Sequence, residues 1–159
     1  MTDLIEVKEA DFDLGLEYQA LRGSADGPGA IVTFTGLVRD FGDQRGVQGL
    51  YLEHYPGMTE SVLEGLITEA RERWTIQAAR IIHRVGRLHL QDQIVFVGIS
   101  SSHRSDAFAA CSFIMDALKT SAPFWKKEIT AQGEYWVEQK ASDQTQAEKW
   151  LTNDSNSQM

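Results

Sequence analysis

Between Gln93 and Pro123 the hydrophobic period of the chain changes once, and that change constrains the fold more than any other stretch. Residues 93–101 (QIVFVGISS) are apolar enough to be the central strand of a sheet. From Ser105 to Lys119, Ala107, Phe108, Cys111, Ile114, Met115 and Leu118 recur at the i, i+3/i+4, i+7 spacing of one helix face. Pro123 cannot continue that helix and turns Ala122 away from helical geometry, so the helix ends before it. A central strand followed at once by an amphipathic helix calls for a sheet with helices packed on it. The same stretch carries cations at both ends of the helix: His103-Arg104 at its start, then Lys119 at its end and Lys126-Lys127 beyond the proline. Because the formal net charge of the chain is −8, this is a local concentration of positive charge, and it reads as a site for an anionic ligand.

The remaining segments fit such a sheet. Residues 4–9 alternate as a short strand, and 13–22 read as a helix with Asp11 or Asp13 near its start. After the turn-rich segment 23–29 comes a β-branched and aromatic run, 30–40, with little alternation, as in a strand covered on both faces. Gly36 interrupts it and Arg39 stands near its end. Residues 47–55 form another strand, Pro56-Gly57 a turn, and Thr59 an N-cap for a helix ending near Arg73-Trp74. Residues 78–85 are a strand joined through Gly86 to the one at 93–101, and WKKEIT with EYWVE make a terminal hairpin around Gln132-Gly133. The order is β-α-β-β-α-β-β-α-β-β: an α+β fold with a mixed, largely antiparallel sheet. Residues 1–141 read as one domain and 142–159 as a polar, partly disordered tail.

Composition removes several functions. At 159 residues the chain suits a single domain that buries roughly 70% of its unfolded surface. An acidic chain is no general nucleic-acid binder, and no secretory signal or apolar run of about 18 residues suggests export or membrane insertion. Cytoplasm is therefore the expected location. Cys111 is the single cysteine and packs as a small hydrophobe; four scattered histidines lack metal-ligand spacing, so no metal is expected. The glycines at 42, 46 and 49 fit no nucleotide-binding loop.

Five positions are left to carry chemistry: Lys119, Lys126, His103, Arg104 and Arg39. Lys119 and Lys126, brought together by the turn at Pro123, would put two ammonium groups around one pocket; alternatively, Lys119 only complements the helix dipole. His103-Arg104, at the strand-to-helix junction, offers a guanidinium beside free backbone N–H groups, a good phosphate site; alternatively, Ser102 caps the helix and both side chains are solvated. Arg39 either enters a pocket or ends the sheet in solvent. His54 reads as structural, and His83-Arg84 lies in a strand with one side chain on each face.

The segments VTFTGLVRD (32–40), LEHYPGMTE (52–60), IHRVGRL (82–88), QIVFVGISSSHRSDAF (93–108) and FIMDALKTSAPFWKKE (113–128) closely resemble the large, catalytic subunit of molybdopterin synthase. The likeness extends to about Trp150 in the same order. It implies an α/β hammerhead with an added α+β part, and a sulfurtransferase of molybdenum cofactor biosynthesis. That family converts cyclic pyranopterin monophosphate to molybdopterin, taking the dithiolene sulfurs from the thiocarboxylated Gly-Gly end of a small ubiquitin-like subunit. It works as a heterotetramer built on a homodimer of large subunits, and it implies no cofactor. Carried over by position, Lys119 and Lys126 match the two key lysines. Leu37, Val38, Arg39, His103, Arg104, Lys126, Lys127 and Glu128 match substrate contacts, as does Lys119. Leu37 stands where some members of the family carry lysine, so its contribution is expected through the backbone alone. The dimer further implies that His103-Arg104 serves a neighbour's pocket. A scaffold that only presents the small subunit, or a Schiff-base enzyme acting through Lys119, are the competing readings.

Overall fold

The computed structural model describes residues 3–24, 27–39, 46–137 and 150. In chain order these form β1 (Leu4–Lys8), α1 (Leu14–Arg22), β2 (Ala30–Leu37), β3 (Gly49–His54), α2 (Met58–Arg73) and β4 (Ala78–Arg84). They continue with β5 (Gly86–His89), β6 (Gln93–Ser101), α3 (Arg104–Thr120), β7 (Phe124–Thr130) and β8 (Gly133–Trp136). The strands divide into two four-stranded sheets, ordered β1-β4-β6-β2 and β5-β3-β7-β8. In the first, β1 and β4 run parallel and the other neighbours antiparallel; the second is antiparallel throughout. The α+β expectation therefore holds, with the strands partitioned into two sheets.

Strand β6 is central because both of its faces have something to bury against. Val95, Val97 and Ile99 face α2 and α3, meeting Leu63, Ile67, Ala110, Cys111 and Ile114. Phe96 faces the other way, toward Phe12, Leu21, Ala78 and Ile82 under α1. Each such fully buried apolar side chain is worth about 1.5–3 kcal/mol over leaving it in water. Gly98 lets α1 approach: a Cβ there would stand 2.6 Å from Leu21 Cδ1 and 2.8 Å from the Phe96 ring. A third cluster, Val38, Leu50, Leu52, Val85 and Leu88, joins the inner face of the second sheet to one end of the first, with Phe124 and Ile94 packed against it.

Several expectations are corrected. Strand β2 is not covered on both faces: it is the outer strand of its sheet, and Phe34 and Leu37 are 42% and 45% exposed. Residues Gly86–His89, read as a connector, pair as β5 with β3. The N-cap of α2 is Gly57, at φ 86°, whose N–H donates to Glu60. Thr59 Oγ1 instead accepts from Tyr55 N at 3.1 Å and donates to the Pro123 carbonyl at 3.3 Å, tying α2 to the segment after α3. His103, not Ser102, occupies the N-cap of α3, and its N–H donates to Ser101 Oγ. Phe108 belongs to no core stripe; it is 62% exposed, while Ala107, Cys111, Ile114 and Leu118 form the buried face.

Within the segment read as a tail, Trp150 packs edge-on against Trp74 and Phe113, at 5.6 and 5.7 Å, and its Nε1–H donates to Asp116 at 2.6 Å. The boundary placed at residue 141 lies outside the described residues.

Candidate functional site

The sheet and α3 sort the cationic positions into two groups. Helix α3 leaves the C-terminal end of β6 and packs back across β6 and β2. Its C-terminus thus returns to the end of the sheet where β6 begins and β2 ends. Lys119 sits exposed in the last turn of α3, and Ser121 N closes the helix on the Ala117 carbonyl at 2.7 Å. A connector of three residues leads into β7, where Phe124 pairs with His54 and Lys126 with Leu52. Phe124, Lys126 and Glu128 share the inner face of β7 by strand alternation, the face whose β3 partners Leu50 and Leu52 are buried.

His83 links these parts. It lies two residues beyond Ile81 on β4 and so faces the same side as the helices. Its ring stacks on Phe124, with centroids 3.8 Å apart and planes 18° from parallel. Nδ1 lies 2.8 Å from the Arg84 carbonyl. Burial among these groups pushes its pKa down to about 4, the Arg84 carbonyl opposes that, and the positive charges of Lys119 and His54 lower it further. His83 is therefore neutral at physiological pH, although the residue keeps some surface in contact with solvent. Lys119 stands near enough to bear on it, so Lys119, His83, Phe124 and His54 belong to one constellation. His54 lies 3.5 Å from Glu60 at the start of α2.

Arg39 reaches the same end of the sheet. Val38 is fully buried, its N–H donates to the Asp92 carbonyl at 2.9 Å, and its own carbonyl accepts from Gln91 at 2.7 Å. This anchor fixes where Arg39 emerges; Arg39 itself is exposed, and so is Leu37. Glu128 is buried, with 7% of its surface exposed, opposite Leu50 and Tyr135. Lys127 points to the other face of β7, where its ammonium lies 4.5 Å from the Trp136 ring centre, 5.6 Å from that of Tyr51, and 3.9 Å from Glu134. Lys126 and Lys127 thus serve opposite sides of the second sheet.

His103 and Arg104 are not brought to this group within one chain. They stand exposed at the opposite end of α3, and Arg104 is about 22 Å from Lys119 at the helical rise of 1.5 Å per residue. A cleft of about 400 Å³ opens near that end, between Arg71, Trp74, Ile76 and Asp106. Its arginines are engaged, Arg71 with Asp3 at 2.7 Å and Arg73 with Glu69 at 2.9 Å.

Burial raises the Cys111 thiol to about 12, which removes it as a nucleophile, and its sulfur lies 3.9 Å from the Val97 carbonyl. Among the described residues no group of three or more His, Cys, Asp or Glu side chains is arranged to hold a metal ion. None of their helices is long and apolar enough to cross a membrane. His83, Phe124 and His54 join the group around Lys119 without having been expected there. Alternation from Ile81 to His83 is the signal that would have turned the imidazole toward α3.

Comparison with known proteins gives a consistent result. The family model described as MoaE protein matches residues 7–121. The molybdopterin synthase catalytic subunit of Pseudomonas aeruginosa is 54% identical over 146 residues, covering 92% of this chain and 97% of that protein. The molybdopterin biosynthesis MoaE protein from Burkholderia ambifaria has a similar structure, with a TM-score of 0.79 at 49% identity, over 93% of this chain and 97% of that one. Molybdopterin synthase from Staphylococcus aureus is similar at a TM-score of 0.76 and 31% identity, over 84% of this chain and 96% of that one.

Proposed function

The chain belongs to the MoaE protein family, and we propose that it acts as the catalytic subunit of a molybdopterin synthase. In this reading it is a sulfurtransferase. It moves sulfur from the thiocarboxylated C-terminus of a small ubiquitin-like subunit onto cyclic pyranopterin monophosphate and builds the dithiolene of molybdopterin. The observation that carries the reading is the cationic end of α3: Lys119, the connector to Lys126, and Arg39 at the end of β2, in a chain of net charge −8. Both reactants are anions, and an acidic protein needs such a local reversal of charge to hold two of them together.

The thiocarboxylate sulfur attacks a side-chain carbon of the pterin, forming a new C–S bond with the acyl group still on sulfur, while a C–O bond to that carbon breaks and its oxygen leaves, taking up a proton. Lys119 lies beside the acyl terminus. Lys126 stabilises developing negative charge or supplies a proton. Water then cleaves the acyl–sulfur bond, leaving sulfur on the pterin and a carboxylate on the spent tail. A second loaded small subunit delivers the other sulfur. Leu37 and Val38, through their backbone, and Arg39 line the substrate side, and Glu128 follows Lys126 on the same face of β7, while Lys127 faces the other side of the sheet.

The separation along α3 supports a site built from two copies. His103 and Arg104 of one copy would meet the phosphate held near Lys119 of another, within a heterotetramer that has a homodimer of this chain at its centre. Membership of a biosynthetic family, with no described helix long and apolar enough to cross a membrane, fits a cytoplasmic location. Mixing the chain with loaded small subunit and pyranopterin tests the reading: dithiolene product is expected, whereas a scaffold that merely presents the small subunit forms none. Borohydride trapping separates off Schiff-base chemistry, which would leave a reduced adduct on Lys119.

A further inference from the structure

We propose that His83 is a positioning residue for the lysine pair, its uncharged ring clamping Phe124 and keeping a third positive charge out of the pocket. The inference rests on the reading of Lys119 and Lys126 as the sulfur-transfer end of the site.

Three observations converge on the ring. First, a nitrogen 2.8 Å from a carbonyl oxygen must carry a proton, so Nδ1–H donates to Arg84. A neutral imidazole with Nδ1 protonated leaves Nε2 with a lone pair only. Second, the stack on Phe124 acts on the first residue of β7, two positions before Lys126 on the same face and five after Lys119. Holding Phe124 therefore holds the connector on which the separation of the two ammonium groups depends. The Thr59 hydroxyl secures the same connector, donating to the Pro123 carbonyl. Third, the groups whose charge bears on the ring are Lys119 from α3 and His54 from β3, with Glu60 of α2 lying 3.5 Å from His54. A protonated His83 would repel Lys119 and loosen the geometry it otherwise fixes. Its burial and the neighbouring Lys119 keep that form suppressed.

The role separates from simple packing by charge and by shape. His83→Phe keeps a flat neutral ring on Phe124, His83→Ala removes the clamp, and His83→Lys supplies the excluded charge. With affinity for the small subunit preserved, the Phe variant should transfer sulfur within about threefold of the wild-type rate, while the Ala and Lys variants lose about tenfold or more. Equal rates in the Phe and Lys variants, or an unchanged rate in the Ala variant, would overturn the proposal. Ring ¹⁵N NMR of the full chain supplies a readout independent of activity and of whether the Lys variant folds. The Nδ1–H tautomer is expected, with a titration midpoint well below the ordinary 6.5 that rises on Lys119→Met. The Nε2–H tautomer, or a midpoint that Lys119→Met leaves in place, would also overturn it. If the wild-type chain forms no dithiolene, the functional reading fails, and the NMR arm still decides the state of His83.

Discussion

Two variants that are each inactive alone should make one working site when paired. Arg104 is the first residue of α3 and Lys119 lies in its last turn, about 22 Å away along one helix. With about 22 Å of helix between the two backbones, a phosphate contact from Arg104 to a ligand held by Lys119 is expected from another copy. In the proposed two-copy site, Lys119→Ala would destroy the pocket to which that chain contributes its lysine, and Arg104→Ala would destroy that of its neighbour. In a dimer of one chain of each kind, the Arg104→Ala chain keeps its lysine and receives an intact arginine from its partner, while the other site loses both groups. One of two sites survives in a closed pair, so the mixed dimer should form dithiolene at about half the wild-type rate. Different affinity tags on the two chains and tandem purification isolate that dimer, and product formation with loaded small subunit is the assay. Each homodimer serves as its own blank. Activity of the mixed dimer no higher than these blanks would refute the argument from helix length, because it would mean that both groups act within one chain.

Trp150 should anchor its segment: Trp150→Ala removes two edge-on aromatic contacts and a 2.6 Å hydrogen bond to Asp116, costing about 3 kcal/mol, read as a lower urea midpoint at unchanged slope. His83 makes stability depend on acidity, because its folded pKa of about 4 lies below its ordinary 6.5. Between those values the unfolded chain binds more protons, so stability is full above pH 6.5, declines as the pH falls toward 4, and loses on the order of 3 kcal/mol across that window. Urea titrations at pH 7 and 4.5 should show a steeper loss in the wild type than in His83→Phe; parallel losses would contradict it. Cys111, with its thiol pushed up to about 12, should resist iodoacetamide at pH 8 in the folded protein and react once denatured, as mass spectrometry of the intact chain would report.

How much of this was legible in the sequence depends on whether a signal was local. The apolar run of β6, the periodicity of α3 and the stop imposed by Pro123 are local, and the structure follows them closely. The pairing of Gly86–His89 with β3 is not. Four residues with one buried side chain carry no pattern, and their partner lies more than thirty positions earlier. Strand β2 misled because β-branched residues suit an outer strand as well as a covered one. Thr59 looked like a cap, but its hydroxyl was needed to bridge Tyr55 and Pro123, and Gly57 tolerates the positive φ at the cap. At the candidate site, the turn that carries the chain from Lys119 to Lys126 was legible because Pro123 stops the helix between them. His83 was not, because it arrives from another strand and its chemistry comes from Phe124 and Lys119, which no spacing connects to it.

Whether the cationic end of α3 performs sulfur transfer is decided by a single-turnover chase with Lys119→Ala. Chain and thiocarboxylated small subunit are mixed with cyclic pyranopterin monophosphate, and transfer of labelled sulfur to the pterin is followed. Wild type should pass its label to the pterin within one turnover, while Lys119→Ala binds the small subunit with unchanged affinity and leaves the label on the tail. Transfer at the wild-type rate by Lys119→Ala would contradict the account.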